Sequence, residues 1–370
     1  MRSILAAISF LGLASPGLAQ EAGDSASRSR RPAISGFAEV SYAYTSRGDA
    51  DAIVGRLYDR FHDEFVLNAL TIGLDLPYDV TTLSAGAHAE VVYGQNASVI
   101  KSAGFDLGEQ GDAPQLFVTL NVPTADGHGV QLKLGRVPTL MGLEVIETPN
   151  NPNWSEGSQF IYLENFTNTG VSVEHKFSDR VDAQLRMFNG WDLVKDNNTR
   201  KSFMGRVGWY PREGTTVAAV GFVGPEQADD PSADRYGGEL LLGTRLGAHT
   251  LIWLQADVGG EEANPALPDP ARDAAWYAVG AWLVRDFSPT VGLALRGDYV
   301  DDRDGARTSG VLGFPANTAH RFGSATATLN LRSWPGLLLR PEVRYDRSGL
   351  AVYAGAQDQL SLALSAAYGF

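Results

Sequence analysis

The segment Gln359-Leu360-Ser361-Leu362-Ala363-Leu364-Ser365-Ala366-Ala367-Tyr368-Gly369-Phe370 carries an apolar side chain at every even position and a small or polar one at every odd position. Successive side chains of an extended chain point to opposite faces, so this period of two builds a strand with one greasy face and one that is not. The period recurs at Leu83 to Tyr93, where Leu83, Ala85, Ala87, Ala89, Val91 and Tyr93 oppose Ser84, Gly86, His88 and Glu90. It recurs where Val181, Ala183, Leu185 and Met187 oppose Asp182, Gln184 and Arg186, and where Leu293, Leu295 and Tyr299 oppose Arg296 and Asp298.

About 16 such segments follow one another, most of them near the roughly 9–11 residues that a tilted membrane-spanning strand needs. They lie at 34–46, 64–77, 81–93, 115–122, 130–137, 168–177, 181–190, 201–210, 215–223, 235–246, 249–259, 273–286, 289–300, 320–334, 337–346 and 358–370. Connections alternate between short turns, such as Phe177 to Arg180, Pro211 to Gly214 and Ser333 to Gly336, and long polar loops at Arg47 to Asp63, Gly94 to Pro114, Gly260 to Arg272 and Asp301 to Thr318. Short turns on one rim and long loops on the other are the habit of an outer-membrane barrel. Aromatic residues gather at both strand ends: Tyr78, Phe177, Trp209, Tyr210, Phe287, Trp334 and Phe370 beside short turns, and Tyr42, Tyr44, Tyr93, Phe222, Tyr236, Tyr277, Tyr299, Phe322 and Tyr345 beside long loops. Two belts fit two membrane–water interfaces, although aromatic enrichment in strands explains part of the pattern. In hydrocarbon a multi-strand sheet must close to pair its edges. The expected fold is therefore all-β: a transmembrane antiparallel up-and-down β-barrel with short periplasmic turns and long extracellular loops, occupying 33–370. Its lumen is too wide for side chains to fill and should hold water.

Residues 1–19 read as a secretory signal: Arg2, an apolar run from Ile4 to Leu13, then Pro16, Gly17 and Ala19 before a cleavage point. That run is about half of the ~20 apolar residues a spanning helix needs. Residues 20–32 form a polar lead-in. Of the 370 residues none is Cys, which suits passage through an oxidising compartment and removes thiolate zinc sites and cysteine nucleophiles. A formal net charge of −13 excludes nucleic acid as a partner, and 44 % hydrophobic residues exclude a disordered chain.

Two stretches resemble known proteins. Tyr368-Gly369-Phe370 ends an alternating strand as the C-terminal assembly signal of outer-membrane barrels does, which implies recognition by the barrel-assembly machinery through Tyr368 and Phe370. Gly135-Arg136-Val137-Pro138, Gly142-Leu143-Glu144-Val145-Ile146-Glu147, Pro149-Asn150-Asn151, Phe166-Thr167-Asn168-Thr169-Gly170-Val171 and Phe188-Asn189-Gly190-Trp191-Asp192 are similar, in order and spacing, to the OmpL-like putative β-barrel porin-2 family. Asn168 stands where that family often has His, so no role is carried to it. The resemblance implies a channel in the bacterial outer membrane and names no substrate.

The longest stretch without alternation, 138–166, holds Glu144, Glu147, Asn150, Asn151, Asn153, Glu156 and Glu164, with Pro149 and Pro152 blocking regular structure. Loops of this length are functional or disordered. By analogy with general porins it folds into the lumen as a constriction; the alternative is an extracellular lid. Parity turns Lys133, Arg186, Arg206, Arg245, Arg296, Arg332, Arg340 and Arg344 inward, with Glu90, Glu174, Asp182, Asp257, Asp298 and Glu342. A lipid-facing Lys or Arg costs about 2–4 kcal/mol near the midplane. Arginines facing a carboxylate-bearing loop would set a transverse field across the opening; the alternative is ion pairing along and between strands, such as Arg296 with Asp298.

Chemistry finds no local signature. The six His are scattered without metal-ligand spacing, no metal or other cofactor is expected, and the chain is not expected to be an enzyme. The acidic runs Asp298 to Gly305 and Glu226 to Asp234 read as solvated loops. The expectation is a passive diffusion channel for small hydrophilic solutes in contact with outer-membrane lipid, with a homotrimer compatible with so wide a barrel. A substrate-specific channel and a structural or adhesive barrel with a blocked lumen are the rivals.

Overall fold

The computed structural model describes residues 31–47 and 52–370; the expected signal 1–19 and nearly all of the lead-in 20–32 lie outside the described residues. The alternating segments form β1 (Ala33–Thr45), β2 (Glu64–Leu76), β3 (Ser84–Tyr93), β4 (Gly111–Val122), β5 (Val130–Pro138), β6 (Thr167–Ser178), β7 (Val181–Phe188) and β8 (Ser202–Arg212). They continue as β9 (Thr215–Pro225), β10 (Asp234–Leu246), β11 (Thr250–Glu261), β12 (Ala274–Ser288), β13 (Val291–Asp302), β14 (His320–Trp334), β15 (Leu337–Ser348) and β16 (Asp358–Gly369). Each strand pairs antiparallel with its neighbours in sequence, and β1 pairs with β16 to close the barrel. No helix among the described residues is long and apolar enough to cross a membrane. Two short helices occupy long loops: α1 (Gln95–Ile100) and α2 (Ser158–Tyr162).

Burial follows the pleat. In β16, Leu360, Leu362, Leu364 and Tyr368 are exposed on the outer face, as is Phe370 just after it, while Ser361 and Ser365 are buried on the inner one. At the seam Gly36 N–H donates to Phe370 O at 3.1 Å and Phe370 N–H donates to Gly36 O at 3.0 Å. The outer face thus presents a broad surface of exposed Leu, Val and Phe, a surface of the kind that marks an interaction site rather than free solvent.

Two sequence expectations need correction here. Phe222 and Phe322 belong to neither outer belt; they point inward, buried, because their parity matches the lumen-facing positions of β9 and β14. Tyr210 is turned toward the lumen as well, donating to Asp182 Oδ2 at 2.5 Å. The long loops are also less polar in their packing than in their composition. Leu57, Tyr58, Tyr162, Leu267, Phe314 and Tyr353, from five different loops, join one buried apolar cluster over the long-loop mouth.

Candidate functional site: the loop inside the barrel

Between β5 and β6 the chain leaves the wall and crosses the lumen. Pro138 ends the strand, and Pro149 and Pro152 deny the following segment a ladder of its own. The neck is tied by Thr139 N–H donating to Phe166 O at 3.0 Å and by a 2.7 Å bond between Thr139 Oγ1 and Asn165 Oδ1. Gly142 has φ +81°, and a Cβ there would lie 1.9 Å from Glu164 Oε2, so only glycine lets the two arms close. Asn151 folds the far end back, accepting from Val145 N–H and donating to Val145 O, both at 2.8 Å.

The far end docks on β1 and on β13 to β15, opposite its origin. Arg296 of β13 donates to Glu144 Oε1 at 2.8 Å, to Asp298 Oδ2 at 3.1 Å, and to the carbonyls of Ser155 and Glu156. Arg340 of β15 donates to Glu39 Oε1 and to Thr148 O, each at 2.7 Å. Arg344 donates to Asp346 Oδ1 at 2.9 Å and to Glu156 O at 2.6 Å. Carboxylates complete the grip by accepting loop donors: Trp154 N–H reaches Glu342 at 2.9 Å and Thr148 Oγ1 reaches Glu39 at 2.6 Å. All three guanidinium groups are buried, so each is matched to an acid and to loop carbonyls rather than to water.

The two arms dock differently, on β10 and β11. Gly142 N–H donates to Glu239 Oε2 at 2.6 Å and Leu143 N–H to Gln255 Oε1 at 3.1 Å. Gln159 of α2 donates to Asp257 Oδ2. Glu164, Glu239 and Asp257 then converge, with carboxylate oxygens within 4.8 Å of one another, all buried. Gln255 Nε2 lies among them, 2.6 Å from Glu164 Oε1, 3.2 Å from Asp257 Oδ2 and 3.3 Å from Glu239 Oε2. Burial, reinforced by Asp257, pushes the Glu164 carboxyl well above the usual range. Burial does the same to Glu156, with Asp59 and Glu144 adding to it.

A closed antiparallel barrel with a long loop folded across its lumen is the architecture of a porin, and the sequence profile of one porin family, Putative beta-barrel porin-2, OmpL-like, matches residues 32–370. The chain belongs to that family. It is an outer-membrane channel protein by family and fold. A search of curated proteins by sequence returned no match. Among solved structures it is similar to an anion-selective porin from Comamonas acidovorans, with TM-score 0.62 and 11 % identity over 92 % of this chain and 99 % of that one. It is similar to the trimer form of OmpT from Vibrio cholerae, with TM-score 0.60 and 10 % identity over 92 % and 99 %. It is also similar to the outer-membrane channel DcaP of Acinetobacter baumannii, with TM-score 0.57 and 14 % identity over 92 % and 97 %.

In this porin-2 protein the candidate residues fall into four places. Glu144, Asn151, Glu156 and Glu164 are buried in the loop, and Glu147 at its edge accepts from Gln115 Nε2 at 2.9 Å. Arg296, Arg340 and Arg344 meet the loop in direct contact. The transverse field expected across an opening is thereby corrected: Glu144 and Arg296 form an ion pair of 2.8 Å with no gap between them. Lys133, Arg186 and Arg206 lie on β5, β7 and β8, away from the far end of the loop. Lys133 pairs with Glu174 at 2.9 Å and Arg206 with Asp182 at 2.8 Å, while Arg186 donates to Asn168 and to Pro138 O at the loop's root. Arg245 and Arg332 sit at the short-turn rim, Arg245 exposed and Arg332 3.2 Å from Asp286.

The acidic run Asp298 to Gly305 is not a solvated loop. Asp302 is fully buried, and its carboxylate gathers the N–H groups of Ala306, Arg307 and Thr308. The loop's partners Glu39, Glu239 and Gln255 escaped the sequence reading. Each had the right parity, but Gly237 and Gly238 blur the alternation before Glu239, and Glu39 stands alone among small and apolar residues.

Proposed function

We propose that this protein is a passive, non-enzymatic diffusion channel for small hydrophilic solutes, narrowed by the loop 138–166. The observation that carries the reading is the crossing itself: the loop starts at β5 and is fixed to mid-strand side chains of β1, β10, β11 and β13 to β15. Lys133, Arg186 and Arg206 line the wall on the side of the loop's root, each buried and ion-paired there. A gradient supplies the driving force, so no cofactor enters. Lipid contacts the outer face, the assembly machinery reads Tyr368 and Phe370, and a homotrimer is the assembly, a state supported by the trimer form of the OmpT neighbour.

Planar-bilayer recording of the refolded protein tests the reading. Discrete conductance steps that grow when residues 145–153 are deleted are expected; a protein that inserts and carries no current overturns it. The apolar cluster over the mouth favours a second reading, a substrate-selective channel. Liposome flux that saturates with solute concentration supports that reading, and flux linear in concentration supports the general pore.

A further inference from the structure

Three carboxylates from three separate elements meet at the loop's arms, Glu164 from the loop, Glu239 from β10 and Asp257 from β11, and none is within ion-pairing distance of a cation among the described residues. Glu239 and Asp257 are direct cross-strand partners in the β10–β11 register. Like charges placed directly opposite repel, and buried carboxylates this close do not all ionise. The other charged group facing Glu164 is Glu144, whose own charge is taken by Arg296.

The centre of the cluster is already filled. The Gln255 amide nitrogen reaches an oxygen of each carboxylate, and its carbonyl oxygen is held by Leu143 N–H, which fixes which way the amide points. An amide nitrogen has two protons to give, so it serves two of the three neighbours at a time. A metal ion would have to take the place that this NH₂ group holds. Protons need no such space, and a carboxyl can donate to a carboxylate beside it.

We propose that Glu164, Glu239 and Asp257 form a proton-dependent latch, which holds the arms of the infolded loop on β10 and β11 when protonated and releases them as pH rises. The inference rests on the channel reading only for its consequence, a wider or noisier opening at high pH. Release is confined to residues 139–143 and 158–164, because Glu144 is held by Arg296 and in turn accepts from Gly157 N–H. The far end stays in place because Arg296, Arg340 and Arg344 are each matched to an acid and to loop carbonyls. In sign, a released Glu titrates near 4.3, whereas docked Glu164 holds its proton to higher pH. Docking is therefore strongest below the released value and weakens as pH climbs through the docked one.

Hydrogen exchange read by mass spectrometry on the detergent-folded full chain tests this without any current. Protection of 139–143 and 158–164, relative to free-chain exchange at the same pH, is expected to fall at least about tenfold from about pH 5 to about pH 8, the factor that one pKa unit of difference produces. Segment 148–154, which stops short of the buried Glu156, is the internal reference and is expected to hold. Glu239→Gln with Asp257→Asn should flatten the dependence, and Glu164→Gln, a loop substitution outside the barrel wall, should flatten it if that pair does not fold. Equal protection at both pH values in the wild type, or an unchanged dependence in Glu164→Gln, overturns the latch. Protection at high pH that calcium restores and a chelator removes also overturns it, in favour of a cation site. Exchange and current separate the two claims: a protein that conducts can fail this test, and one that does not conduct can pass it.

Discussion

One loop is held on two sides of the same lumen by opposite electrostatics. On β13 and β15, Arg296, Arg340 and Arg344 face loop carbonyls and the carboxylates of Glu144, Asp298, Glu39 and Asp346, so each of these three buried cations has its complement. On β10 and β11, Glu239 and Asp257 face Glu164, and among the described residues they are met by amide donors rather than by cations. The first arrangement is a permanent mooring, because guanidinium groups keep their protons throughout the biological range. The second is conditional on protons. Buried position alone thus does not decide how firmly a segment is fixed; the sign of what it meets does.

Four measurements break or sharpen that contrast. Arg296→Ala strands Glu144 as a buried unpaired charge, and loss of one partner of such a pair costs about 3–5 kcal/mol. The expected outcome is loss of exchange protection in 148–156 together with a conductance increase; unchanged protection would mean that the mooring lies elsewhere. Trp282→Phe removes the 3.2 Å bond from Trp282 Nε1 to Glu144 while leaving the arginine. Hydrogen bonds to charged groups are worth about 1.5–3 kcal/mol, so protection should fall at the far end by less than in Arg296→Ala. Glu164→Gln acts in the other direction, strengthening arm docking at high pH by about 1.4 kcal/mol for each pKa unit by which burial lifts the carboxyl. Lys176→Ala removes an exposed pair with Asp179 at a short turn and should leave melting temperature and conductance unchanged.

The barrel was legible because lipid and water impose opposite demands on alternate residues. Strand positions such as 320–334 and 64–77 in the sequence reading fall on β14 and β2 within a residue at each end. Legibility failed where both faces are apolar. Ala274 to Val284 is apolar or small throughout, and only pairing with β11 and β13 reveals that Trp276, Ala278, Trp282 and Val284 point inward while Tyr277, Val279 and Leu283 are exposed on the outer face. Trp282 is turned to the lumen because it lies opposite Arg296 in the register. The loop's partners were hidden for another reason. Parity shows that Asp257 and Arg340 face the lumen, but which of them meets Glu164 and which meets Thr148 depends on where a segment without periodicity lands, and no local pattern encodes that.

The seam between β1 and β16 joins the strands farthest apart in the described chain. Every other pairing joins sequence neighbours and can form through local zippering, whereas this one must wait until all the rest are in place. Until then two raw edges offer unpaired amides to any passing strand. The kinetics of the cylinder are accordingly set by its final stitch: slowing it should populate a curled, open sheet able to couple with a second such sheet, and a catalyst of assembly would act best by shielding both borders at once.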